Sequence, residues 1–110
     1  MKMLTKANRK ALPKLYTNED KSLDETMAVV KFFTPWTNWT WYASEGEPVL
    51  DEQGSEIDFK FFGLVDGHEM ELGYFVLSEL ESVTGRFGLK IERDMHWEPK
   101  SLQAIMDGGR

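Results

Sequence analysis

Ile57-Asp-Phe-Lys-Phe-Phe-Gly-Leu-Val-Asp-Gly-His-Glu-Met-Glu-Leu-Gly-Tyr-Phe-Val-Leu77 decides the fold of this chain. Side chains alternate between the two faces of a strand, so Ile57, Phe59, Phe61, Gly63 and Val65 share one face, and Asp58, Lys60, Phe62 and Leu64 share the other. The second face begins polar and ends apolar, which predicts a strand that leaves solvent halfway along and passes under a helix. Asp66-Gly67 is turn chemistry, because both residues tolerate the left-handed backbone of a tight reversal. With His68 and Glu69 it returns the chain into Glu71 to Leu77 as a hairpin.

The same two-residue period lies upstream. In Trp39-Thr-Trp-Tyr-Ala43, Trp39, Trp41 and Ala43 alternate with Thr40 and Tyr42, the pattern of a half-buried strand. Met27 to Thr34 is rich in β-branched and aromatic residues and is closed by Pro35. The link Pro35-Trp-Thr-Asn38 is short enough for a turn, so these strands are expected to be antiparallel neighbours. Residues 45–56 read as a long acidic loop, and Leu89 to Asp94 as a last strand. Helical signals are brief. Thr5 can cap Lys6 to Leu12, with Leu4 as a staple and Pro13 as the stop. Ser78 and Glu81 have capping-box spacing before Glu79 to Val83, which Gly85 ends, and Ser101 to Met106 follows Pro99.

Five strands with tight turns and short helices predict an α+β fold, a mostly antiparallel sheet with helices packed on one face. The crossovers of a dozen or more residues that a parallel sheet needs are missing. With 110 residues, one domain over 1–110 is expected, frayed at residues 1–3 and 107–110. Seven Phe, four Trp and three Tyr supply the core, since each ring can remove about 150–250 Å² from water.

Composition narrows the chemistry. There is no cysteine, so disulfides, thiol nucleophiles and thiolate zinc sites are excluded, and stability rests on packing, as suits a reducing cytoplasm. The basic first residues lack the apolar stretch of a secretory signal, and no run approaches the roughly 20 apolar residues that span a bilayer. The formal charge of -6 disfavours direct nucleic-acid binding, which relies on many cations displacing counterions. That charge is polarised. Lys2, Lys6, Arg9, Lys10 and Lys14 open the chain without an acid, whereas Glu45, Glu47, Asp51, Glu52, Glu56 and Asp58 crowd 45–58 without a base.

No phosphate loop, dinucleotide fingerprint, zincin pair or nucleophile elbow is present. One constellation could carry chemistry: Glu92, Asp94 and His96 alternate on an extended segment, and His68 and Glu69 could join them from the turn. Such oxygen and nitrogen donors suit a divalent cation or an acid–base pair, giving the alternative of a metal-assisted hydrolase or nuclease. A solvated strand face produces the same pattern. Asp58 is expected in a structural pair with Lys60, Arg93 or a backbone amide. Trp36, in the turn, is expected to stand out as a protein-binding spot.

Three stretches together carry a family resemblance: Val30-Lys-Phe-Phe-Thr-Pro-Trp-Thr-Asn-Trp-Thr-Trp-Tyr42, Glu71-Leu-Gly-Tyr-Phe-Val-Leu-Ser-Glu-Leu-Glu-Ser-Val83 and Gly88-Leu-Lys-Ile-Glu-Arg-Asp-Met-His-Trp-Glu-Pro-Lys100. From Leu4 to about Leu102 the chain resembles a family of small bacterial, plasmid and phage proteins catalogued as a domain of unknown function. The resemblance assigns no catalytic residues. It implies a setting on mobile elements, where small proteins modulate replication, transfer or host defence.

The leading expectation is therefore a small accessory protein that binds another protein, through Trp36 and the acids Glu45, Glu47, Asp51, Glu52 and Glu56, with no cofactor and no membrane association. In one version the acids imitate phosphate and occupy a basic groove on DNA-handling machinery. A nucleic-acid binder using residues 1–14 is a further alternative, and an uncovered sheet edge leaves room for a homodimer.

Overall fold

The computed structural model describes residues 1–108. Its elements are α1 (Lys6–Ala11), β1 (Met27–Ala28), β2 (Val30–Phe33), β3 (Thr40–Leu50), β4 (Glu56–Asp66), β5 (Met70–Val76), α2 (Leu77–Ser82), β6 (Glu92–Arg93), β7 (Lys100–Ser101) and α3 (Leu102–Met106). Five strands form one antiparallel sheet in the order β5-β4-β3-β2-β6, and β1 pairs with β7 in a separate ribbon. The fold is α+β, with short helices against an antiparallel sheet. Both predicted hairpins are present: β2 meets β3 from Val30↔Ala43 to Phe33↔Thr40, and β4 meets β5 from Lys60↔Val76 to Asp66↔Met70.

Helices cover both faces, whereas one covered face was predicted. On the first face Leu4, Leu12, Phe32, Phe59, Phe61, Phe75 and Leu80 pack together, so α1 and α2 lie there. On the second, Tyr42 and Leu64 pack against Ala28, Leu102 and Ile105, beneath α3 and the β1–β7 ribbon. The switch of β4 from polar to apolar at Phe62 and Leu64 requires this second cover. Tyr42 is fully buried, while Trp39 and Trp41 are only half-buried. The Trp97 indole N–H donates to the Ala28 carbonyl (3.0 Å), joining the ribbon's approach to the same core.

The largest correction concerns the acidic stretch. Residues 45–56 are not a loop: β3 continues to Leu50, β4 starts at Glu56, and only 51–55 turn. Asp51 Oδ1 accepts from the Gln53 and Ser55 N–H groups (2.9 Å each), and Gly54 takes φ 83°, which closes the turn. Pro48 sits inside β3 because β2 ends opposite Thr40–Ala43, leaving that side of β3 without a ladder that needs its N–H. Pro13 and its neighbours fill the gap, with the Gly46 N–H donating to the Pro13 carbonyl (2.9 Å).

Smaller differences follow, the chief one from competition for the same donor. The Thr5 cap forms, completed by Asn8, whose side chain accepts from the Thr5 N–H (3.0 Å). The Ser78–Glu81 capping box does not form: α2 begins at Leu77, and Ser78 instead donates its N–H and hydroxyl to Asp58 of β4. Asp58 thus finds a backbone amide rather than a lysine or arginine. The last sheet strand shrinks to Glu92–Arg93, because residues 84–90 fold back on themselves. Residues 1–3, predicted to fray, lie along β6: the Met1 sulfur accepts from the Arg93 N–H and the Lys2 carbonyl from Arg93 Nε (3.2 Å). Of the other end predicted to fray, Asp107 closes α3 through its N–H to the Gln103 carbonyl (2.9 Å), and residues 109 and 110 lie outside the described residues.

Candidate functional site

Ser44 is an extra residue in β3. Ala43 faces Gly63 and Glu45 faces Phe62, so the register slips by one between them. A slip of one exchanges the faces of a strand. Without it, Glu45 would follow Trp41 and Ala43 into the first core; with it, Glu45 and Glu47 turn to the second face. The Ser44 hydroxyl, fully buried, donates to the Phe62 carbonyl (3.0 Å).

Glu45 is 3% exposed. Its Oε1 accepts from the Tyr16 N–H (2.9 Å) and its Oε2 from the Asn18 N–H (2.7 Å), while Glu47 Oε1 accepts from the Leu15 N–H (3.0 Å). Backbone donors close together along one turn make a cradle for negative charge, and here it is filled by the protein's own carboxylates. Tyr16 takes φ 71° to aim them, a left-handed conformation that costs about 1–2 kcal/mol in a residue with a Cβ.

The remaining acids are also placed. Arg9 grips Glu56 with two bonds (2.7 and 2.6 Å), which hold the Glu56 carboxyl below its ordinary range and raise the guanidinium. The same guanidinium lies 4.8 Å over the Phe59 ring. Thus one cation of the basic start answers one anion of the hairpin. Asp51 shapes its own turn, and Glu52 stands exposed beside it. Partial desolvation works against charge on Asp58, yet the Ser78 hydroxyl and the Phe59 and Ser78 N–H groups outweigh it and keep its carboxyl low.

The five residues proposed for metal or acid–base chemistry are dispersed. Asp94 Oδ2 lies 3.7 Å from Lys31 Nζ, and Asp94 Oδ1 accepts from the His96 N–H (2.9 Å), with the His96 side chain exposed. Glu92 borders a shallow hollow with Met3, Leu80 and Ile91. His68 and Glu69 are exposed on the β4–β5 turn, and the imidazole meets the edge of Trp39 (5.4 Å) rather than another donor. Trp39 reaches it by lying over Gly67, where any Cβ would collide with the indole. Among the described residues no three His, Asp or Glu side chains gather closely enough to hold a metal ion.

Trp36 does not stand free. It is half-buried against the first core, and a side chain at Gly85 would run into its ring, so the indole forms the floor of the 84–90 loop. That loop is tight: Thr84 bridges Lys90, and the Gly85 N–H donates to the Leu89 carbonyl (2.7 Å). At its tip Phe87 takes φ 59° and is 96% exposed, the highest value among the large apolar side chains described. Arg86 flanks it, and Val83 and Leu89 are also exposed. Sequence reasoning passed over Phe87. Its signal is Gly85-Arg-Phe-Gly88, an aromatic held between two glycines with no strand or helix period around it.

A cleft of about 330 Å³ opens on the second face, lined by Tyr16, Leu23, Phe62, Leu72, Tyr74 and Leu102 among others. The Tyr16 hydroxyl raises the Tyr74 phenol above its ordinary value, with slight desolvation and the charges of Glu45 and Glu19 adding to the effect. Lys60 Nζ sits 4.6 Å from the centre of the Tyr74 ring.

These features define a small α+β domain in which the acids of residues 45–58 mostly serve its own architecture and the most exposed large apolar side chain described is an aromatic on a tight loop. The chain belongs to the family described as protein of unknown function (DUF2958), found in small bacterial, plasmid and phage proteins; the family model matches residues 3–105. No curated protein and no solved structure matches it. Among the described residues no helix is long and apolar enough to cross a membrane.

Proposed function

We propose that this chain is a small cytoplasmic accessory protein that acts by binding another protein, with the 84–90 loop as its anchor. The observation that carries the reading is Phe87. A phenylalanine left in water forgoes about 1.5–3 kcal/mol of burial, and its left-handed backbone costs roughly 1–2 kcal/mol more. Among the described residues nothing covers the ring, whereas burial in a partner would recover the first cost. Interface energy concentrates in aromatic and arginine side chains on a rigid base, which Phe87, Arg86 and the Trp36 floor supply. The plasmid and phage setting of the family favours a partner from the host's or the element's DNA-handling machinery. The phosphate-imitating version is weakened, because Glu45, Glu47 and Glu56 are engaged within the molecule.

A photo-crosslinking amino acid at position 87, in host cells, is expected to capture one discrete protein. Phe87→Ala is expected to weaken that complex by about 2 kcal/mol or more while leaving the thermal unfolding of the free protein unchanged within about 0.5 kcal/mol. An affinity indifferent to Phe87→Ala removes the loop from the binding surface.

A further inference from the structure

β5 and β6 form the two edges of the sheet, and they are finished differently. β6 has two residues, both charged, and the first residues of the chain lie along it. β5 has seven residues in unbroken register with β4, and its sequence Met70-Glu-Leu-Gly-Tyr-Phe-Val76 holds no proline, lysine or arginine. Short length, bulges, prolines and charged side chains, lysine above all, are devices that stop an edge from pairing with another chain, and of these β5 carries only the single charge of Glu71. Among the described residues no strand lies on its outer side.

The strand is also complementary to itself. We propose that β5 pairs antiparallel with β5 of a second copy across a twofold axis at Gly73, joining the two sheets into one. In that register Leu72 stands opposite the partner's Tyr74, and Tyr74 opposite the partner's Leu72. These side chains share one face and are 45% and 47% exposed in the single chain. Glu71 meets Phe75, so no carboxylates oppose one another; centring the axis on Glu71 would set them face to face, a destabilising arrangement. Tyr16, 6.3 Å from Tyr74 between ring centres and itself exposed, extends the apolar surface on the same side. Gly73 makes the axis testable: a Cβ there would meet nothing within 4 Å among the described residues and its φ lies outside the left-handed region, so one copy accepts a side chain at that position. Twofold dimers are the commonest closed oligomers, and their interfaces are self-complementary.

The test uses the cysteine-free chain. Opposed residues of an antiparallel pair have Cα atoms about 4.5–5.5 Å apart, within disulfide reach. Mild oxidation of Gly73→Cys is expected to yield a covalent dimer, while Gln53→Cys, exposed in the β3–β4 turn, stays single. Sedimentation of the unmodified protein is expected to show twice the 12.7 kDa chain mass, falling to one chain on dilution. Leu72→Lys, at a half-exposed position, is expected to lower the association constant about tenfold or more with unchanged circular dichroism, since symmetry removes the contact twice. A protein that sediments as one chain throughout, a Gly73→Cys variant that crosslinks no faster than Gln53→Cys, or a dimer indifferent to Leu72→Lys overturns the proposal. Capture of a different protein's strand on β5 in place of a second copy overturns it equally.

Discussion

The 45–56 hairpin and the 84–90 loop reverse what their residues advertise. The first is rich in acids, and most of them turn inward or pair: Glu45 and Glu47 accept backbone N–H groups, and Glu56 holds Arg9. The second contains a single phenylalanine among glycines, and that ring faces water. Charge in a sequence shows where a group can bear solvent, but not whether it meets solvent. A carboxylate with two N–H donors is at rest inside a protein, whereas an unburied aromatic ring is not. The region that looked like a surface is largely architecture, and the short loop carries the most exposed large apolar side chain described.

Three perturbations sharpen or break that contrast. The largest effect is expected from Glu45→Ala. Loss of the carboxylate leaves the Tyr16 and Asn18 N–H groups without acceptors beneath a buried bulge, so urea unfolding should register a loss of about 3 kcal/mol. A loss below about 0.5 kcal/mol would show that the carboxylate is surface charge after all. Next comes Phe87→Gly. Glycine adopts the left-handed conformation without penalty, so removing a ring that is almost wholly exposed is expected to stabilise the free protein by about 1 kcal/mol. Destabilisation would mean that the loop depends on the ring.

The smallest effect is a dependence on acid. The carboxyls of Asp58, Glu56 and Glu25 are all held below their ordinary values, Asp58 against a desolvation cost and the other two chiefly by side-chain hydrogen bonds. The unfolded chain therefore takes up protons at a higher pH than the folded one does. Their contribution is complete above the ordinary carboxylate range, near pH 4, and is lost as pH falls through the lower folded values. Unfolding measured across that window should show a stability that drops toward acid, and Asp58→Asn should flatten the slope. An unchanged slope would mean that the tie between β4 and α2 carries no proton linkage.

Much of the fold was legible because its signals are local. The alternation in 57–65, the Asp66-Gly67 turn and the Thr5 cap each depend on a few adjacent residues, and each stands where it was read. The Ser78 cap failed because its reading was local while its outcome was not: Asp58, twenty residues away, competes for the same hydroxyl. The acidic strands were missed for the same reason. Nothing within 45–56 announces that Leu15, Tyr16 and Asn18 will offer it N–H groups. Trp36 was read as exposed because it sits in a turn, and the bare Gly85 that lets its ring lie as a floor is nearly fifty residues on.

By itself the sequence determined the class of fold, through a two-residue hydrophobic period that only a pleated sheet can sort, and it excluded every chemistry that needs a thiolate. Tertiary structure alone decided which charges and which aromatic rings face water. For Glu45 and Glu47 it did so through one inserted residue, Ser44, since a strand's faces are set by counting, and a single extra residue changes the count for the residues that follow it.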